Sequence, residues 1–119
     1  MFDRSDVEQM RPLLAKACRT PDRRVNFPEI DIPHRWQPAV VQHPATMGSF
    51  TVLGAWEFIA ECLEGSAPIR YKPPSELFED HAYEMIEFPE GGSRRIYMKI
   101  ALKEGFGKLI GVSFHYERT

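Results

Sequence analysis

The C-terminal part of the chain concentrates side chains that can bind an anion and transfer protons. Residues 92–119 contain six Lys and Arg against two Glu, a net charge of +4, whereas the whole chain has a net charge of −2. Tyr97 and His115 lie in the same segment. Cations next to a tyrosine and a histidine suit a ligand that carries phosphate. An ordinary solvated strand face, on which Lys and Arg are common, is the alternative interpretation.

The alternation of side chains along a strand predicts which of these residues share a face. Segment 95–102 divides into an apolar and a polar face, formed by Ile96, Met98, Ile100 and Leu102 and by Arg95, Tyr97, Lys99 and Ala101. In segment 108–116 the apolar face is formed by Ile110, Val112, Phe114 and Tyr116. The other face is formed by Leu109, Gly111, Ser113 and His115. Tyr83 and Met85 suit the core, which puts Glu84 on the polar face. We therefore expect a polar, titratable surface on one side of a sheet.

Three strand-like segments and two helices must position these side chains. The segments 81–88, 95–102 and 108–116 are separated by Gly-rich turns, which predicts a three-stranded antiparallel meander within 81–116. Ser5 and Glu8 form a capping box that opens a helix over 5–18, although Pro12 either kinks it or moves its start to Arg11. A second helix is predicted over 50–64, between a Ser49 cap and Gly65.

Two proline-rich stretches separate these elements. Residues 19–48 hold five of the ten prolines, which predicts a long proline-rich loop with a short strand at 39–41. We expect this loop to pack on the body of the protein through its large apolar side chains, Phe27, Ile30, Ile32 and Trp36. Pro68, Pro73 and Pro74 argue against regular structure between the second helix and the first strand. The element order predicts a single α+β domain over residues 1–119, with helices packed on one face of a small antiparallel sheet.

Composition excludes several classes of protein. The chain has 119 residues, of which 43% are hydrophobic and 27% are charged, as in an ordinary globular domain. Its two cysteines, Cys18 and Cys62, form neither a CxxC motif nor a cluster at zinc spacing, so we expect no metal, no cofactor and a reducing compartment. The polar N-terminus and the absence of an 18-residue apolar run predict a cytoplasmic protein without a membrane partner.

The C-terminal half, about residues 50–119, resembles the MqsR family of bacterial toxins, which have the fold of the RelE-like mRNA interferases. Three segments carry the likeness: Arg70-Tyr71-Lys72, Ile96-Tyr97-Met98-Lys99-Ile100 and Val112-Ser113-Phe114-His115. The family has a Lys, a Gln twelve residues later and a Tyr thirteen further, and Lys72, Glu84 and Tyr97 stand at those intervals. The chain departs from the family where Glu84 replaces Gln and where His115 replaces a terminal Lys, and residues 19–48 have no counterpart.

The resemblance implies a metal-independent endoribonuclease, the toxin of a toxin–antitoxin pair, in which the ribose 2′-OH attacks the adjacent phosphorus. Its partners would be RNA, free or on the ribosome, and a cognate antitoxin. It assigns catalytic roles to Lys72, Glu84, Tyr97 and His115, and RNA or phosphate contacts to Arg94, Arg95 and Lys99. Histidine exchanges protons near neutral pH and can serve as acid or base, and Glu84 would be its complementary base.

Structural interpretations stand beside each of these assignments. Lys72 would be a solvated loop residue, Tyr97 a cross-strand packing residue, and Glu84 the ion-pair partner of Lys99 or Arg95. His115 would be an exposed strand residue. His34, His43 and His81 have no partners at a recognisable spacing. The second functional hypothesis is a non-catalytic protein-binding module on the same fold, such as a regulator, an immunity protein or a phage-encoded inhibitor, which the mild acidity and the proline-rich segment favour.

Overall fold

The computed structural model describes residues 5–26, 36, 38, 41–42, 48–65, 67–74, 81–87, 95–103 and 108–116. They form two helices, α1 (Val7–Cys18) and α2 (Val52–Glu64), and a short 3₁₀ helix (Pro21–Arg23). The five strands are β1 (Arg24–Asn26), β2 (Ile69–Lys72), β3 (His81–Glu87), β4 (Ile96–Lys103) and β5 (Lys108–Tyr116). No helix among these residues is long and apolar enough to cross a membrane.

The five strands make one sheet in the order β1-β5-β4-β3-β2. Strands β2 to β5 pair antiparallel with their neighbours, and β1 adds in parallel to β5 at the other edge. Both helices pack on one face of this sheet, where Trp56 and Ile59 from α2 and Leu14 from α1 are buried against strand residues such as Met98 and Phe114. The predicted α+β fold, with helices on an antiparallel sheet, is confirmed.

The helices begin later than predicted, because other residues cap them. The Asp6 side chain accepts a hydrogen bond from the Gln9 backbone N–H at 3.2 Å, so α1 starts at residue 7 rather than at residue 5. Thr51 rather than Ser49 caps α2, its Oγ1 accepting from Gly54 N–H at 2.9 Å. Pro12 lies inside α1, so the alternative start at Arg11 is wrong. Gly65 ends α2 as predicted.

Arg11 joins the two helices and fixes the connection that leads into β2. Its guanidinium donates to the carbonyl oxygens of Cys62, Leu63 and Gly65 at 3.1–3.3 Å and to that of Ala67 at 2.6 Å. The last carbonyls of a helix lack partners within the helix and carry partial negative charge, which a guanidinium satisfies. This contact ties the end of α2 to α1 immediately before the strand that carries Lys72.

A strand forms where the prolines argued against one. β2 occupies residues 69–72, between Pro68 and Pro73, and pairs with β3 at the sheet edge. Pro68 and Pro73 lie outside the paired residues, so their missing N–H groups do not interrupt the hydrogen bonds of the sheet. The antiparallel part of the sheet therefore has four strands, where three were predicted within 81–116.

The predicted proline-rich loop contains regular structure at its start. The 3₁₀ helix and β1 lie within residues 19–48. Trp36 packs on the core as predicted, with its ring centroid 5.2 Å from that of Trp56 and 5.8 Å from that of Phe114. Val41, the last residue of the predicted short strand, is buried. The rest of that strand and the expected contacts of Phe27, Ile30 and Ile32 lie outside the described residues.

A β-bulge reverses the predicted faces in the first half of β5. Lys99 pairs with Ser113 but Ile100 pairs with Gly111, which leaves Val112 as an extra residue. Leu109 therefore joins the core beneath the helices, while Ile110 and Val112 pack with Ala82 and Ala101 on the opposite face. The predicted assignment of side chains to faces is wrong before the bulge and correct after it. Side chains alternate every residue, so one inserted residue moves those on one side of the bulge to the opposite face.

Candidate functional site

Four residues with predicted catalytic roles form a continuous row across the sheet. Lys72 on β2, Glu84 on β3, Tyr97 on β4 and His115 on β5 lie on the face opposite the helices. The Lys72 Nζ is 3.8 Å from Glu84 Oε1, and the Tyr97 hydroxyl donates a hydrogen bond to Glu84 Oε2. The Tyr97 and His115 rings lie 5.3 Å apart, centroid to centroid. We call these four residues the polar row.

Cations surround the carboxylate at the centre of this face. Glu84 stands directly opposite Arg70 on one side and Lys99 on the other, in addition to its contact with Lys72. Its side chain is 19% exposed and that of Lys72 is 44% exposed. Among the described residues, three cationic side chains thus lie next to Glu84, and cations on a sheet face attract anions. Of the structural alternatives for Glu84, the ion pair is with Lys72 rather than with Lys99 or Arg95.

The histidine of the polar row has one ring nitrogen fixed by the backbone. His115 Nδ1 lies 2.7 Å from the Tyr116 carbonyl oxygen. A carbonyl can only accept, so the Nδ1 proton donates this hydrogen bond. Nε2 is then the ring nitrogen that this backbone hydrogen bond leaves without a proton in the neutral imidazole. The imidazole is half-buried and rests against the ring of Tyr97, which fixes its position on the sheet.

Two of the three predicted phosphate contacts border the polar row. Lys99 is half-buried on β4 and stands opposite Glu84 and Ser113. Arg95 is exposed directly before β4, and the alternation of side chains places it on the same side as Tyr97. Arg94 lies outside the described residues. The structure therefore brings six of the seven predicted site residues to one face.

A pocket of about 350 Å³ opens beside the polar row. Its lining combines apolar and polar side chains: Pro68, Ile69, Arg70, Glu84, Ile86 and Tyr97. Sequence reasoning gave no role to Arg70 or Ile86. Arg70 had a usable signal, because it is two residues before Lys72 and shares its face in a strand. The expectation that prolines preclude a strand hid that signal.

Small apolar residues cover the sheet face on the side of the polar row that lies away from the pocket. Ala82 and Ala101 are 2% and 0% exposed, and Val112 is buried beside them. Lys72 pairs with Ala82 at this boundary. The open part of the face thus extends from Lys72 toward Arg70, Ile86 and the end of β5.

A second tyrosine–histidine contact lies on the helix-covered side. The Tyr71 hydroxyl is 2.5 Å from His81 Nδ1, and the two rings stack with centroids 5.8 Å apart. The sequence showed no partner for His81 at a recognisable spacing, because the Tyr71 that pairs with it belongs to the unpredicted strand β2. Tyr71 packs on the hydrophobic core, so this contact is separate from the polar row. His34 and His43 lie outside the described residues.

The side chains brought together at the site include groups that can carry out acid–base chemistry. The row offers a carboxylate, an imidazole with one available nitrogen and a phenol, and cations and a pocket border it. Such a set can position an anion and move protons on both sides of it. No protein-family model, no curated protein and no solved structure matches this chain.

Proposed function

We propose that this protein is a metal-independent endoribonuclease that cleaves RNA through attack of a ribose 2′-OH on the adjacent phosphorus. The polar row is the observation that carries the proposal. The four residues on which the resemblance to MqsR toxins depends come from four different strands, and they form one connected line. An ordinary solvated strand face would not require a phenol in contact with a carboxylate on one side and an imidazole on the other.

In the proposed reaction, Glu84 is the general base and His115 is the general acid. The Glu84 carboxylate takes the proton of the 2′-OH, and the 2′-oxygen forms a bond to phosphorus. The bond from phosphorus to the 5′-oxygen breaks, and that oxygen takes the proton from Nε2 of the His115 imidazolium. The products are a 2′,3′-cyclic phosphate and a 5′-OH. Glu84 has gained one proton and His115 has lost one, so the protons balance.

The order of residues in the row suits this displacement. Tyr97 lies between Glu84 and His115 and contacts both. A phosphate over Tyr97 would have the base on one side and the acid on the other, as an in-line displacement requires. The Tyr97 hydroxyl orients the Glu84 carboxylate through its hydrogen bond. The Nδ1 hydrogen bond to the backbone holds the His115 ring with Nε2 free for transfer.

The surrounding cations stabilise the charge that develops on the phosphate oxygens. Lys72 is the end member of the row on β2, Arg95 lies two residues before Tyr97 on the β4 side, and Lys99 stands opposite Glu84. Charge-assisted hydrogen bonds from such groups are stronger than neutral ones and act most on the more negative transition state.

An endoribonuclease of this kind arrests growth unless it is restrained. We therefore propose a cytoplasmic toxin that acts on RNA and is held inactive by an antitoxin protein. The expected result of inducing the chain alone is growth arrest, and co-expression of the antitoxin would relieve it. Harmless induction of a well-expressed, folded protein would contradict this part of the proposal.

The direct test is RNA cleavage by purified protein in excess EDTA. We expect wild type to cleave, and Glu84→Gln to lose about 10²- to 10⁴-fold of the rate, because the amide cannot accept the proton. Glu57→Gln is the matched control, because this substitution removes the same charge at an exposed position on α2. Intact RNA with wild type, with or without ribosomes, would favour the protein-binding module instead.

A further inference from the structure

The pocket beside the polar row combines an apolar wall with an exposed guanidinium. Ile86 and Tyr97 are directly paired between β3 and β4, so their side chains stand next to each other on the open face. Arg70 lies across the pocket on β2 and is exposed. The volume of about 350 Å³ falls within the range of small-molecule sites, roughly 300–1,000 Å³. A flat heteroaromatic ring with a hydrogen-bond acceptor on its edge suits this combination.

We infer that the pocket binds the purine base of a nucleotide that flanks the scissile phosphate, with the Arg70 guanidinium donating to purine N7. The inference rests on the RNA-cleaving function proposed above. N7 is an acceptor that guanine and adenine share and that pyrimidines lack. The Ile86 side chain supplies the apolar surface against which the base packs, and Tyr97 borders the base on the side of the row. Arg70 is then a specificity-determining residue of the site.

The contacts of Glu84 leave Arg70 to a ligand. Arg70 is the register partner of Glu84 on β2, yet the Glu84 carboxylate contacts Lys72 and Tyr97. Among the described residues, the Glu84 carboxylate is thus engaged by Lys72 and Tyr97 rather than by Arg70. A base bound by Arg70 does not have to break the arrangement that holds Glu84 for proton transfer.

The position of the pocket connects base recognition with cleavage. Glu84 and Tyr97 belong both to the row and to the pocket lining. A base in the pocket therefore lies next to a phosphate over Tyr97. Binding the purine would place the adjacent 2′-OH and phosphorus between Glu84 and His115, which converts base affinity into orientation of the reacting atoms.

The test uses 2′-O-methyl trinucleotides, which cannot be cleaved because they lack a free 2′-OH. One carries a purine between two uridines, and the other carries the matching 7-deazapurine, in which a carbon replaces N7. We expect wild type to bind the purine form about tenfold more tightly. Arg70→Gln should bind both forms equally. Arg23→Gln, an exposed arginine at the opposite sheet edge, should keep the preference.

The outcome separates this inference from the proposed function. A wild-type protein that cleaves RNA but binds both trinucleotides with equal affinity overturns the purine pocket and leaves the nuclease standing. A preference for N7 that disappears in Arg70→Gln supports the pocket, and if the same wild-type protein leaves RNA intact, the nuclease alone is overturned. A preference that persists in Arg70→Gln overturns the role of Arg70.

Discussion

Phe114 and His115 are neighbours in the chain, but they lie on opposite faces of the same strand. Phe114 is fully buried beneath the helices, where its ring meets those of Trp36, Phe50 and Phe58. His115 is half-buried on the open face, where it contacts Tyr97 and a backbone carbonyl. One face is held by apolar packing and the other by a few directional polar contacts. Core packing and polar surface contacts are therefore separated in this sheet by a single step of strand alternation.

The largest expected effect concerns activity on the open face. His115→Ala removes the proposed general acid and should lower RNA cleavage by about 10²- to 10⁴-fold. The midpoint of thermal unfolding should change little, because the side chain is half-buried and contributes little to the core. Cleavage rates and melting curves of the same preparations check both statements. His81→Gln, outside the row, should retain activity. Loss of folding in His115→Ala would contradict the separation of the two faces.

Substitution of the adjacent residue, Phe114, should lower stability rather than act on the open face. Phe114→Ala removes a fully buried ring and should lower the free energy of unfolding by about 3–5 kcal/mol. Urea denaturation monitored by tryptophan fluorescence measures this, since Trp36 and Trp56 lie in the affected core. A cost below about 1 kcal/mol would mean that the core tolerates the cavity and that the comparison between the faces is wrong.

The β-bulge at Val112 determines which face of the sheet Gly111 occupies. Gly111 faces the core, and a Cβ at this position would lie 2.6 Å from the Trp36 ring. Gly111→Ala should therefore destabilise the protein by about 1–3 kcal/mol through overpacking. Trp36→Leu in the same chain should relieve part of that loss, because the ring that causes the clash is gone. If Gly111 instead faced solvent, as simple alternation predicts, Gly111→Ala would be nearly neutral and no relief would follow.

The smallest expected effect concerns a buried thiol on the helix side. Burial raises the pKa of Cys18 from 9.0 to about 12, although Arg24 and Arg19 partly oppose this. In the unfolded chain the thiol ionises as pH rises through 9.0, while the folded form keeps its proton. The stabilising contribution is therefore complete below pH 9 and is lost progressively as pH rises toward 12. Urea denaturation at pH 8 and 10 should show a steeper decline for wild type than for Cys18→Ala. Equal declines would contradict the pKa shift.

The same buried thiol should resist chemical modification in the native protein. Only a thiolate reacts readily with iodoacetamide, and Cys18 is fully buried and protonated at pH 8. Mass spectrometry should detect modification of Cys18 in urea but not in buffer. Rapid modification of the folded chain would show that α1 opens away from the sheet.

Much of the helix-covered face was predictable, because burial repeats with the period of the element. Ile96, Met98 and Ile100 alternate along β4, and Trp56 and Ile59 follow the helical stripe of α2. The bulge at Val112 was not predictable, since it depends on the register between two strands rather than on a local pattern. The caps at Asp6 and Thr51 compete with nearby Ser5 and Ser49, and propensity alone does not choose between them.

The spacing of residues in the sequence predicted the members of the polar row. Only the structure shows that these residues contact one another. Strand alternation predicted that Glu84, Tyr97 and His115 share a face. The position of Lys72 could not be derived in this way, because the prolines on both sides of β2 argued against a strand there. Arg70 was missed for the same reason. Both residues reach the site only because four residues between prolines are enough to pair with β3.

The chemical nature of the cleavage products tests the central claim most directly. RNA incubated with wild-type protein in EDTA should yield fragments that end in a 2′,3′-cyclic phosphate and begin with a 5′-OH, as mass spectrometry of the fragments would show. His115→Ala, at the same concentration, should cleave the RNA about 10²- to 10⁴-fold more slowly. Fragments that begin with a 5′-phosphate, or equal cleavage by wild type and His115→Ala, would contradict the role assigned to the polar row.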